Sequence, residues 1–139
     1  MNERDLGWLE GIIDGEGYLG MWKAKSPFAK RGFTYMCQLT IANTNKDAIE
    51  KSKRLLDGGS IGFSRKDDPR WKDTWHLVAH ADVLRRVLPE LRLTVKDAQR
   101  RLVLEALSLI SAHTNRHTPN DSRLEEIYNE LRILNKRGK

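Results

Sequence analysis

The chain has 139 residues, enough for one domain with a real core, and no apolar run long enough to span a membrane. Its N-terminus, MNERDLGW, lacks the apolar region of a signal peptide, and its one cysteine, Cys37, excludes an intrachain disulfide and fits a reducing compartment. The expected location is cytoplasmic, with the nucleoid, or organellar. A net charge of +6 points to an anionic partner, nucleic acid before membrane. The charge is unevenly spread. From Gly17 to Lys46 there is no Asp or Glu, while Lys23, Lys25, Lys30, Arg31 and Lys46 fall there, which reads as a phosphate-facing surface.

In chain order, Leu6, Leu9, Ile12 and Ile13 recur at helical spacing and predict a helix over about Arg4–Gly15, capped near Asn2. Tyr18–Lys25 reads as a strand. SPFAKRG is a turn, with Pro27 and Gly32 as breakers. Phe33–Asn43 is a second strand, with Phe33, Tyr35, Cys37, Leu39 and Ile41 on one face and Thr34, Met36, Gln38 and Thr40 on the other. Cys37 is expected to be a small buried hydrophobe. Asn43 or Thr44 is expected to cap a helix through KDAIEKSKRLLD that stops at Gly58-Gly59. SIGFSRK and WKDTWHLVA are strands around the turn DDPR. Asp82 can cap VLRRVLPELRL, which Pro89 bends or ends; the longest helix is expected over Lys96 to about Ala112. Asp121 or Ser122 caps a last helix with Leu124, Ile127, Leu131 and Leu134 as its stripe. The order predicts an α+β fold: two hairpins in one four-stranded antiparallel sheet, with helices on one face. A single domain over 1–139 is expected, with a core over about 4–112 and a helical extension at about 121–136.

The stretch GWLEGIIDGEGY carries the chemistry. Gly7, Gly11 and Gly15 each cost about 1 kcal/mol of helix propensity relative to alanine. At steps of four they line one narrow stripe, which lets another backbone approach closely. Either the chain's own sheet or a second helix could fill that approach. Leu9, Ile12 and Ile13 are available for the chain's own core, which leaves the glycine side for a second helix. Glu16 follows at the helix C-terminus, where a carboxylate opposes the helix dipole. A hard cation such as Mg²⁺ would compensate, taking carboxylate, phosphate and water oxygens. Across a two-fold seam, two Glu16 carboxylates beside a basic, strand-lined surface would suit phosphodiester cleavage. Asp14 points elsewhere and is expected to cap or pack.

LEGIIDGEG, Leu9 to Gly17, resembles the motif of the LAGLIDADG homing endonucleases. Leu9, Gly11, Ile13, Asp14 and Gly17 match it letter for letter, with Ile12 for Leu and Glu16 for the final Asp. Glu10 and Gly15 replace alanines, and Glu10 is expected to face solvent. The element order over Leu6 to Ala112 is also similar to the family's αββαββα saddle. The resemblance implies a sheet lying in the DNA major groove, which can admit a β-ribbon. It implies a homodimer through the motif helices Gly7, Gly11 and Gly15, since one motif is present. It implies Mg²⁺, or another divalent cation such as Mn²⁺, held by Glu16 with help from the Gly15 carbonyl. It further implies Lys96 as the basic residue before the long helix and Asn45 as the polar residue that orders solvent. The activity implied is site-specific double-strand cleavage of a long pseudo-palindromic DNA. Such enzymes are encoded in introns or inteins, and a chain beginning at Met1 is expected to be of the intron type.

Candidates for DNA contact are Trp22, Lys23 and Lys25 on the first strand and Gln38 and Thr40 on the second. Arg65, Lys66, Arg70 and Lys72 around the second hairpin complete the set. Core packing is an equal reading for Trp22, and Lys23 and Lys25 share a face with Leu19 and Met21. Trp75 and His76 are neighbours on opposite faces. The pairs His76/His80 and His113/His117 lack further ligands for a zinc site. Two competing functions stand on the same scaffold: an intron-splicing maturase that binds RNA, and a catalytically silent DNA-binding protein.

Overall fold

A computed structural model describes residues 1–27, 31–65, 67–110 and 121–136. Helix α1 spans Glu3–Glu16 and begins at Asn2, whose side-chain oxygen accepts the Asp5 N–H at 2.8 Å. Strands β1 (Gly17–Lys25) and β2 (Phe33–Asn43) form the first hairpin. Helix α2 (Lys46–Leu56) is capped by Asn45, one residue after the two candidates, and ends at Asp57 in the left-handed region, with φ 52°. Strands β3 (Ser60–Ser64) and β4 (Thr74–Ala79) are shorter than expected. Helix α3 (Ala81–Val87) starts at His80 without a side-chain cap, so Asp82 lies inside its first turn, and a 3₁₀ turn at Leu88–Glu90 holds Pro89. Helix α4 spans Asp97–Leu109 and α5 spans Asp121–Asn135, which makes α5 rather than α4 the longest among the described residues.

The α+β architecture is the one expected. All four strands pair antiparallel in the order β1-β2-β4-β3. Alternation puts Leu19 and Met21 of β1, the odd residues from Tyr35 to Ile41 of β2, and Leu77 and Ala79 of β4 on one buried face. Leu9 and Ile13 of α1 pack there with no exposed surface, joined by Ile49, Leu56, Leu84 and Val103. Cys37 lies in this cluster, and burial pushes its thiol up to about 12, so it stays protonated and inert.

Helix α5 belongs to this same core. Leu124, Ile127 and Leu131 are buried in it, while Leu134 is only partly covered. The helix lies against β1 and α4, and Asn135 Nδ2 donates to the Leu19 carbonyl at 3.0 Å. β1 is an edge strand, so this contact covers backbone that would otherwise template another strand.

Candidate active site

The site is built where α1 turns directly into β1. The junction has no loop. Gly17 donates its N–H to the Ile13 carbonyl, and a Cβ at Gly17 would lie 2.7 Å from that carbonyl oxygen. Only glycine fits so close an approach, and this fixes Glu16 at the last helical position beside the start of the sheet. Glu16 is exposed. Its Oε2 accepts a hydrogen bond from Asn43 Nδ2 at 2.5 Å. Asn43 is the last residue of β2, and its own Oδ1 accepts the Asn45 N–H at 2.7 Å. Asn45 is committed to capping α2, accepting the N–H groups of Asp47 and Ala48 at 2.9 and 3.3 Å. The side chain beside the motif carboxylate is thus Asn43, with Asn45 one step behind it.

The opposite side of the site is organised by Asp14. Its carboxylate accepts the backbone N–H groups of Thr94, Val95 and Lys96 at 2.8, 3.0 and 3.0 Å. These precede and open α4, whose N-cap, Lys96, makes no side-chain cap of its own. Asp14 supplies that cap from a distant element. Glu10, one turn earlier, accepts the Arg92 N–H at 2.6 Å. It is half-buried against this segment, so the expectation of a solvent-facing Glu10 is corrected. The two carboxylates hold residues 92–96 along α1. Lys96 then turns its ammonium onto the Asp14 carbonyl, with Nζ donating at 2.6 Å. The structure therefore brings Lys96 to the same helix end as Glu16.

The donor set at this end is made of hard oxygens: the Glu16 carboxylate and the last-turn carbonyl of Gly15. That chemistry fits Mg²⁺, with phosphate and water oxygens completing the shell. Among the described residues there is no cluster of three or more His, Cys, Asp or Glu that could hold a metal ion.

Gly7, Gly11 and Gly15 are exposed, and a Cβ built on any of them meets nothing among the described residues within 4 Å. The stripe does not pack on the chain's own sheet. It faces outward, opposite Leu9 and Ile13.

The sheet places the remaining candidates on two different faces. Trp22, Gln38 and Thr40 lie on the face away from the helices, where Trp22 also contacts Tyr18, with ring centroids 5.4 Å apart. Lys23 and Lys25 follow the parity of Leu19 and Met21 onto the helix-covered side. Lys23 Nζ sits 2.9 Å from Glu125 and over the rings of Phe33 and Tyr128, at 4.7 and 4.6 Å. Arg31 likewise pairs with Asp121 at 2.7 Å, and Lys46 with Glu50 at 3.6 Å. The acid-free window therefore does not present these three charges as a bare basic surface. Two of them meet carboxylates of α5, which lies far along the chain. Lys25 is exposed at the end of β1. Arg65, Arg70 and Lys72 are exposed around the β3–β4 connection, Arg70 clasped by Asp68 through contacts of 2.6 to 3.1 Å. Lys30, Lys66, His113 and His117 lie outside the described residues. Trp75 packs on the helix side beneath Lys46, 4.9 Å from its ring, so its neighbour His76 is the one on the open face.

No family model matches the sequence, and no curated protein matches it significantly. Solved structures do match. The archaeal intron-encoded homing endonuclease I-Vdi141I, complexed with DNA, is 18% identical with a TM-score of 0.74, over 99% of this chain and 87% of that one. The homing endonuclease I-CvuI, solved with the I-CreI target in the presence of Mg with the DNA not cleaved, is 20% identical with a TM-score of 0.71 over the same shares. The LAGLIDADG meganuclease I-AabMI, bound to uncleaved DNA, is 12% identical with a TM-score of 0.72, over 93% of this chain and 46% of that one. From its α1 motif to its α5 helix, the chain thus has the fold of the LAGLIDADG homing endonucleases.

Proposed function

We propose that the chain is a homodimeric, Mg²⁺-dependent, site-specific DNA endonuclease of the intron-homing type, acting on a long pseudo-palindromic site. The observation that carries this reading is the helix end itself. Glu16 is exposed and oriented by Asn43, with the Lys96 ammonium at the same turn. The outward glycine stripe supports the dimer, since it leaves a close-approach surface that the described residues of this chain do not fill. A two-fold contact there would bring two Glu16 carboxylates together. The similar structures solved with DNA support the substrate class.

Glu16 and the Gly15 carbonyl would hold the Mg²⁺, which when bound supplies Lewis-acid stabilisation and an acidified water. Asn43 fixes the Glu16 carboxylate through one oxygen and leaves the other available. Lys96, held by Asp14, places positive charge where the phosphate gains negative charge. The uncovered sheet face would enter the major groove. The decisive experiment is cleavage of a DNA library with Mg²⁺ by wild type and Glu16→Gln. Cleavage by wild type alone is expected. Tight binding by wild type without cleavage refutes the nuclease reading and favours a silent DNA-binding protein. A strict monomer, with and without DNA, refutes the shared site.

A further inference from the structure

The face of the sheet that no described helix covers has an unusual composition. On β1 and β2 it presents Tyr18, Trp22, Thr34, Met36, Gln38 and Thr40, with Gly and Ala between them. Among the described residues, no Lys, Arg, Asp or Glu of any strand falls on it. Trp22 and Met36 are direct cross-strand partners, as are Tyr18 and Thr40. Gln38 lies between these pairs, its amide donating to the Thr40 hydroxyl at 3.3 Å. Tyr18 and Met36 are exposed large hydrophobics.

Set against base-pair edges, such a face would discriminate among them by its chemistry. Guanine is read above all by Arg or Lys at O6 and N7, and cytosine by a carboxylate at N4; this face has neither. Gln pairs bidentately with adenine N6 and N7, and apolar groups and threonine methyls meet the thymine C5 methyl. We propose that β1 and β2 recognise an A·T-rich block in each half of the target. The proposal rests on the DNA-endonuclease reading above. Its extent follows from the strands. Tyr18 to Ala24 covers about 20 Å at roughly 3.3 Å per residue, or about six base-pair steps. Tyr18 is nearest Glu16, so the block runs outward from the cleaved phosphates.

The test is selection of bound and cleaved sites by the full chain from randomised duplex DNA, followed by replacement of thymine with deoxyuridine in the selected block. A·T pairs are expected at four or more of about six adjacent positions in each half. Removing a contacted methyl is expected to weaken binding about fourfold. Gln38→Arg is expected to introduce guanine at one position of the block. A selected site rich in G·C there, or one indifferent to deoxyuridine, overturns the A·T assignment and leaves the endonuclease reading standing. Failure to enrich or cut any sequence overturns the endonuclease reading and the assignment with it.

Discussion

Replacing Asp14 by alanine removes one carboxylate that serves three backbone N–H groups, those of Thr94, Val95 and Lys96. Hydrogen bonds to a charged acceptor contribute about 1.5–3 kcal/mol each when the donor is left dry. Here Thr94 and Val95 are exposed and Lys96 is half-buried, so water takes over part of the loss. The closer measure is loss of a helix cap, typically about 1 kcal/mol for a single orphan donor group. Three such bonds, partly rehydrated, give a cost of about 2–3 kcal/mol. In urea, with a slope of about 1–3 kcal/mol per molar, the midpoint drops by about 1 M. Protomer concentration is held fixed, because the proposed dimer would contribute to apparent stability. The Glu16 carboxylate, two residues away, makes no such long-range bonds to the backbone, and Glu16→Gln is expected to leave the stability within about 0.5 kcal/mol. Two acids of one motif would then divide into one that holds the fold and one that serves the chemistry. An Asp14→Ala loss below about 0.5 kcal/mol refutes the capping argument.

Gly11→Leu is expected to abolish dimerisation and cleavage together, since the protomer has free space at this position; sedimentation with circular dichroism checks it, and a normal, active dimer refutes the seam. Ile127→Ala is expected to cost about 2–5 kcal/mol of global stability, because Ile127 is fully buried in the one core; a local effect confined to α5 would show that the helix is only appended. The Tyr35 hydroxyl and then the Lys23 ammonium hold the Glu125 carboxyl below its usual range. A depressed carboxylate stabilises the fold above its unfolded pKa, about 4.3 for Glu, and that contribution is lost as pH falls below it. Acid titration followed by fluorescence is therefore expected to weaken the α5–sheet contact in that window. Glu125→Gln should flatten the dependence, and an unchanged curve refutes the assignment.

Much of the site could be read in the sequence because its determinants are local. Asn2, the α1 periodicity and the glycine spacing lie within one helix. The breaks at Pro27 and Gly32 delimit the first hairpin. Even Asn43 was within reach. Pairing Lys25 with Phe33 fixes every later pair, and carries the end of β2 to the last turn of α1. Reading the end of β2 by type, as a polar residue in ANTNKD, selects Asn45 instead. The register distinguishes the two, because Asn45 lies beyond the strand and faces α2.

Other features were settled only by tertiary structure. Strand alternation says which residues share a face, but not which face another element covers. Lys23 was legible as a partner of Leu19 and Met21, yet its ion pair is with Glu125, 102 residues along the chain. The bonds from Glu10 and Asp14 to residues 92–96 span 80 to 82 residues. No local pattern encodes an acceptor that distant, because either carboxylate would be equally content in water. The sequence by itself determined the elements, the core face and the acid at the helix end. Packing of α4 and α5 onto the sheet decided which charges are paired and how Lys96 reaches the Glu16 turn, and burial of the Leu9 and Ile13 side of α1 leaves the glycine stripe open among the described residues.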